Sequence, residues 1–448
     1  MKARSVIICI TAVLIAIAGV SGVLLSRFYG SVPVIDSSAT FTDAPQAETQ
    51  SAPADTDYGS LCVTLSVMPD REVTREMLEN LDASAIGRLR QLASPPTDEQ
   101  WHDATGYTYN ALYDKFVTKT AKDMGNNGKD SFTLGFTGDI NFTYSAYVMT
   151  HARTMPNVVL DCIDETFRAE MEAADIMTVN NEFTYSDRGS PTPGKKYTFR
   201  AEPDTVKYMT ALGVDLVSLA NNHTYDYGPD SFTDTLAILD KEGIPHMGAG
   251  MNAAEAAEPA TFIINGYKVG FLASSGVEWP IWTPVATESE PGIMGSYDNG
   301  RAMTAAIKKA KLTCDYVIAY PHWGYENTTS LSDAQKDLGR AFIDAGACAV
   351  VGNHSHCLQG MEFYNGAPVF YSLGNFWFNT NNVPTVLLKL TVSQDGITPS
   401  LVPGTQANSE THYMRDASSR RALYDKIESW EPYNKISISD DGTVSPNN

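Results

Sequence analysis

Positive charge is scarce in this chain: 32 Lys and Arg stand against 53 Asp and Glu, a net charge of −21 over 448 residues. That balance argues against nucleic acid as a partner, because binding a phosphate backbone requires clustered cations that release counterions. Cysteine is sparse as well. Cys9, Cys62, Cys162, Cys314, Cys348 and Cys357 include no CxxC pair, and Cys9 lies in an apolar run, which leaves an odd five. A disulfide framework and a Cys-type zinc site are both excluded, and the thiols read as small buried hydrophobes. No internal repeat is present. Hydrophobic content of 43% and charged content of 19% are ordinary for a globular protein. The length suits one large α/β unit with appendages as well as two or three domains.

The longest apolar run is N-terminal. Residues 6–25 carry no charge and include Ile7, Ile8, Ile10, Leu14, Ile15, Ile17, Leu24 and Leu25. As a helix they span roughly 30 Å, the thickness of a bilayer core. Lys2 and Arg4 precede the run, and no Lys or Arg occurs between Phe28 and Asp70. This asymmetry predicts the N-terminus inside and the body outside. Ala16 and Ala18 offer a cleavage-like site, but the run is longer than a signal-peptide core, so an uncleaved anchor is expected. The expected location is therefore the cell membrane, with a single span and an extracytoplasmic body.

Beyond a signal anchor at 1–28, residues 29–58 are rich in Ser, Thr, Ala, Pro and Asp and read as a disordered linker. Residues 59–130 turn helical in pattern, as at Met77, Leu78, Leu81, Ile86 and Leu89, and predict a small helical extension. From 131 to 405 strand-like and helix-like runs alternate, which predicts an α/β domain. A helix is expected over 202–212, closed by Gly213, and another over 229–241, ended by Gly243. Asn265-Gly266 and Asn365-Gly366 predict hairpins. Residues 406–448 show no clear pattern and read as a tail.

Histidine, too, is rare, and its placement is the chain's main signal. Of eight histidines, four fall in short polar clusters that follow strand-like runs. The clusters are Gly138-Asp139, Asn180-Asn181-Glu182, Asn221-Asn222-His223, His322-Trp323-Gly324 and Asn353-His354-Ser355-His356. Asp, Glu, Asn and neutral imidazole are ligands for Mn, Fe and Zn, and pairs of such ions hydrolyse phosphate esters. Each cluster alone has a plainer reading: Asp139 as a turn cap, Glu182 as a loop carboxylate, Asn222-His223 as Asx-turn chemistry, His322 as a satisfied core histidine. Five of them at the carboxyl ends of strands, where open α/β sheets place ligands, form a pattern.

Taken in order, GD, NxE, SLANNHxxDYG, HWG, GNHSH and YSLGNF resemble the capsule-synthesis protein CapA family of poly-γ-glutamate formation, itself related to the calcineurin-like metallophosphoesterases. Lys195-Lys196-Tyr197-Thr198-Phe199-Arg200 is similar to a further family segment. The resemblance covers about residues 132–393. It implies a four-layer α/β/β/α sandwich with two divalent metal ions (Mn, Fe or Zn) at the strand ends. By the same resemblance Glu182 bridges the metals, Asp139 and His356 complete one set, and Asn222, His322 and His354 the other. His223 is similar to the histidine that protonates the leaving oxygen, and Asp226 is placed to orient it. The implied partners are the membrane, a polymer synthase or export complex, and an anionic polymer or phosphoester substrate. An unrelated envelope phosphoester, or a non-catalytic scaffold role, remains as an alternative. The chain departs from the phosphoesterase pattern at Asn141, where a histidine is usual, at Glu182 in place of Asp, and at Asn353, where the CapA family more often has histidine. These departures leave the first metal short of a strong ligand.

Overall fold

A computed structural model describes residues 121–278, 281–433 and 435–447. The expected anchor and linker, and the helical extension as far as residue 120, lie outside the described residues. Among the described residues no helix is long and apolar enough to cross a membrane.

Two sheets carry the fold. One has seven strands in the order Lys122–Gly125, Ala260–Ile264, Tyr267–Ser275, Tyr316–His322, Ala349–Val351, Ala367–Phe370 and Met361–Tyr364. The other runs Glu410–Tyr413, Gly396–Ala407, Val383–Ser393, Phe132–Ile140, Ile176–Asn181, Leu216–Ser218 and His246–Met247, with Asn375–Trp377 added beside Phe132–Ile140. Alternate side chains of a strand point to opposite faces, and the sequence obeys this on both sheets. Phe132, Leu134, Phe136, Ile176, Leu216, Phe271, Ile318, Tyr320, Ala349 and Val351 share one buried cluster between the sheets. Their neighbours Met177, Val179, Val217 and Leu387 face outward against Phe167, Met171, Phe232, Leu236 and Leu239 of the helices Glu165–Ala173 and Pro229–Glu242. On the other sheet Leu272, Val317, Ala319 and Val350 meet Met303, Ala306, Ile307, Phe342 and Ile343 of the helices Arg301–Lys311 and Asp333–Asp344. The layers are thus helix, sheet, sheet, helix.

Both Asn-Gly pairs close antiparallel hairpins. Asn265 and Gly266 have φ of 50° and 78°, and Asn365 and Gly366 have 49° and 82°, the doubly positive pattern that matches strand twist. The helix expected over 229–241 is Pro229–Glu242, closed by Gly243 in the left-handed conformation. That over 202–212 is split into a 3-10 turn, Pro203–Val206, and a short helix, Lys207–Ala211.

Two boundaries differ from expectation. Lys122–Gly125, assigned to the helical extension, is an edge strand parallel to Ala260–Ile264, with Met124 packed on the inter-sheet cluster. Its four residues, KDMG, are too short and polar to signal a strand. Residues 406–448 are not a tail. They supply the strand Glu410–Tyr413, the helix Ala417–Glu428 capped by Asp416, and the hairpin Ile436–Ile438 with Val444–Pro446. Leu423, Tyr424, Ile427, Ile436, Ile438 and Val444 join the cluster between the sheets. The apolar face of the helix is narrow and set among Arg420, Arg421, Asp425 and Lys426, which hides its period. Ile427→Ala is therefore expected to lower stability by about 2–5 kcal/mol. Urea denaturation reads this directly, and an unchanged midpoint would mean the helix contributes nothing to the core.

Candidate metal centre

Parallel pairing brings the carboxyl ends of the strands together. Asp139 lies at the end of Phe132–Ile140, Glu182 just after Ile176–Asn181, and Asn221, Asn222 and His223 after Leu216–Ser218. His322 ends Tyr316–His322, and Asn353–His356 follow Ala349–Val351. All are buried. Gly138 is required by a close approach: a Cβ there would stand 1.8 Å from the Gly374 carbonyl oxygen. That same carbonyl accepts the Asp139 N–H at 2.9 Å. His354 and His356 are held at φ of 94° and 55°. Left-handed backbone at non-glycine residues costs about 1–3 kcal/mol each and concentrates at functional sites.

Glu182 stands at the centre. Its Oε1 lies 3.7 Å from His322 Nε2, 3.8 Å from His223 Nε2 and 4.0 Å from His356 Nε2, and no hydrogen bond reaches it. Its Oε2 accepts from Asn180 Nδ2 at 3.2 Å, an amide that also donates to Asp139 Oδ1 at 2.7 Å. Two groups of convergent ligand atoms share this carboxylate: Glu182 with His322 and His354, and Glu182 with Asp139 and His356. Asn222 Oδ1 is 2.8 Å from His322 Nε2, beside the first group. His356 Nδ1 lies 3.1 Å from Asp139 Oδ2 and 2.9 Å from Asn375 Oδ1. His223 Nδ1 lies 2.6 Å from Asp226 Oδ2, and its ring packs against Phe199, tilted by 35° with centroids 4.2 Å apart. The structure thus gathers all eight of the residues singled out in the sequence.

These residues fit a divalent cation. A buried carboxylate oxygen with no donor, a buried His354 Nδ1 with no partner, and a mixed oxygen and imidazole donor set suit Mn, Fe or Zn. The electrostatics agree. Burial pushes the Glu182 pKa well up, with Asp139 adding to it. Burial, then the neighbouring histidines and Lys195, hold His322 and His354 well below the usual histidine value. Neutral imidazoles are the ligand form. Burial opposes charge on His356, but the hydrogen bond and charge of Asp139 outweigh it and raise its pKa. Burial lowers His223, and Asp226 offsets part of that effect.

Asn141, the departure from the phosphoesterase pattern, is spent locally: its Oδ1 accepts the Thr143 N–H at 2.7 Å. Sequence reasoning missed Asn180, which links Asp139 to Glu182. It missed Asn221, whose Nδ2 donates to Asn180 Oδ1 at 3.1 Å and whose Oδ1 accepts the His223 N–H at 3.0 Å. It also missed Asn375, in the YSLGNF stretch, and gave Lys195 no role. The signal was present for all four, since each lies inside or beside a quoted motif. The Asn-Asn pairs do not reveal which amide faces inward.

The family described as "Bacterial capsule synthesis protein PGA_cap" matches residues 133–380, more than half of the chain. The chain belongs to this family. The PGA biosynthesis protein CapA of Bacillus subtilis is 29% identical over 251 residues, 56% of this chain and 64% of that protein. The capsule biosynthesis protein CapA of Bacillus anthracis is 33% identical over 189 residues, 41% of this chain and 45% of that protein. The chain thus spans less than two-thirds of either relative's length. Among solved structures, a 5'-nucleotidase from Candida albicans aligns at a TM-score of 0.36 and 12% identity, covering 62% of this chain and 52% of that one.

Within this PGA_cap chain the orphaned carboxylate sets a stability signature. Because burial raises its pKa, the folded metal-free protein keeps a proton on Glu182 that the unfolded chain releases. Metal-free stability should then fall as pH rises from the ordinary carboxylate range towards the raised pKa. Glu182→Gln should remove that fall, raise the metal-free melting temperature at neutral pH, and abolish stabilisation by added Mn. A melting temperature lowered by the substitution would contradict the burial cost assigned to Glu182.

Proposed function

We propose that this chain is a membrane-anchored, extracytoplasmic protein of capsule or envelope-polymer synthesis whose strand-end site is a metal-dependent phosphoesterase. Poly-γ-glutamate assembly is the setting its family and relatives suggest. The observation that carries the chemistry is Glu182 Oε1, donorless and ringed by three imidazole nitrogens at 3.7–4.0 Å. Asp139, Glu182, Asn222, His322, His354 and His356 would hold the metal, as two ions sharing Glu182. When bound, such ions polarise a phosphoryl oxygen and lower the pKa of a water towards about 7. The uncleaved N-terminal anchor places the body beside a synthase or export complex.

The chain's own groups do the rest. Asp226 accepts from His223 Nδ1 and so turns Nε2 into the site. A proton held at Nε2 is given to the leaving oxygen, and the lowered pKa makes the imidazolium a stronger acid than an ordinary histidine's. Phe199 packs on the same ring and its N–H fixes Asp226 Oδ2 at 2.6 Å, excluding water from the far side of His223.

Elemental analysis of the purified protein beside His322→Ala tests the reading. About two equivalents of metal and hydrolysis of bis-p-nitrophenyl phosphate are expected, both lost in the variant. A metal-free protein that stays so after reconstitution would leave the scaffold role standing. A pH profile tests the acid. Since His223 must carry a proton, kcat/KM should fall as pH rises through its pKa. Asp226→Asn removes the carboxylate that raises that pKa, so the alkaline limb should move to lower pH. A limb that stays in place would remove His223 from the role.

A further inference from the structure

Lys195 is a lysine with its side chain 2% exposed, deep in the fold beside the candidate centre. Its ammonium has three donors and meets three oxygens. Asp226 Oδ1 lies at 2.6 Å and Glu278 Oε2 at 2.7 Å, and the third is the main-chain carbonyl of Asn222. A buried cation is retained only when it is compensated; here two carboxylates pair it and the Asn222 carbonyl accepts its hydrogen bond. None of them is an arbitrary neighbour. Asp226 turns the His223 ring through its other oxygen, Oδ2. Asn222 presents its amide oxygen to His322 at 2.8 Å. Glu278 belongs to the segment after the strand Tyr267–Ser275 in the opposite sheet and has φ of 60°, left-handed for a non-glycine residue.

We infer that Lys195 is the positioning residue of this site: by clamping Asp226 Oδ1 and the Asn222 carbonyl together, it sets the ring orientation and tautomer of His223. Asp226 without the ammonium would lose the one ion pair on its buried Oδ1 and would be held through Oδ2 alone. His223 would then lose the fixed acceptor that holds its proton on Nδ1 and keeps Nε2 towards Glu182. Glu278 ties the same ammonium to the second sheet, so the two sheets meet at the residue that orients the acid. Lys195 makes no direct contact with Glu182 or an imidazole nitrogen; its charge reaches His322 and His354, but its contacts run to Asp226, Glu278 and Asn222. Outer partners of this kind typically change activity by about 10–100-fold.

The kinetic arm rests on the hydrolase reading above, and the spectroscopic arm does not. The experiment uses the full-length chain carrying isotope-labelled histidine, and compares wild type with Lys195→Met, Asp226→Asn and the double variant. Ring-nitrogen NMR should show His223 as a single Nδ1–H tautomer in the wild type and a mixture in Lys195→Met. Metal content should be unchanged. Hydrolysis of bis-p-nitrophenyl phosphate should lose about 10–100-fold in kcat with KM held. The double variant should be no slower than Asp226→Asn alone, because both changes break one chain of contacts. An unshifted tautomer, or penalties that simply add, would overturn the inference. Should Lys195→Met fail to fold, Glu278→Gln loosens the ammonium from its outer partner, and the same tautomer shift is expected at smaller amplitude. No shift there would likewise overturn it. Wild type without hydrolysis of any phosphoester would sink the hydrolase reading while the tautomer measurement still decides the role of Lys195.

Discussion

A carboxylate oxygen with no hydrogen bond, enclosed by imidazole rings, is the constraint around which this fold is arranged. Glu182 is fully buried, and a carboxyl group in such a place must either keep a proton or carry an unpaired charge at high cost. Its neighbours do not relieve the cost. Asn180 occupies one oxygen and leaves the other bare. His354 and His356 reach the site only by adopting left-handed backbone. Three unfavourable features at one point are a departure from internal consistency, and such departures mark places where function overrides stability.

The layered core is what makes that departure tolerable. Strand alternation sends every second residue into the inter-sheet cluster and the others against helices, so both faces of each sheet are filled. The site sits where the strands end and the alternation stops. Beneath it Tyr320 donates to the Thr137 carbonyl across the two sheets at 3.4 Å. Trp323, next to His322, donates from Nε1 to the Tyr371 carbonyl at 2.8 Å. These buried bonds fix the strand ends relative to one another, which helps set the spacing of Asp139, Glu182 and His322.

This explains which parts were legible beforehand. The candidate ligand residues stood out because polar clusters after β-type runs are rare and histidine is rare, and the fold brings them to one place. Hairpins were legible through Asn-Gly, whose positive φ is a local property. What failed was non-local. The strand Lys122–Gly125 exists only because the edge of Ala260–Ile264 is there to pair with. The helix Ala417–Glu428 carries only a few inward residues among its charges, and no periodic signal announces it. Asn141 looked like a weakened ligand, yet it serves a turn. The hubs Asn180 and Asn221 sit beside Asn181 and Asn222, and two adjacent amides look alike in a sequence whichever of them joins the network.

Charge completes the picture. Asp139, Glu182, Asp226 and Glu278 bring four carboxyl groups to this region, and Lys195 is the buried ammonium recorded among them. In a chain of net charge −21, nothing distant offsets that excess, and in a low-dielectric interior each unpaired charge acts strongly. A phosphoester, itself an anion, meets a repulsive field at such a site unless cations are present. His322 and His354 do not supply them, because burial keeps both neutral, and His356 is already paired with Asp139. The same burial that keeps these two imidazoles neutral leaves each with a nitrogen lone pair to offer. The site is therefore short of positive charge and rich in ligand atoms at one place, and a divalent cation answers both conditions at once.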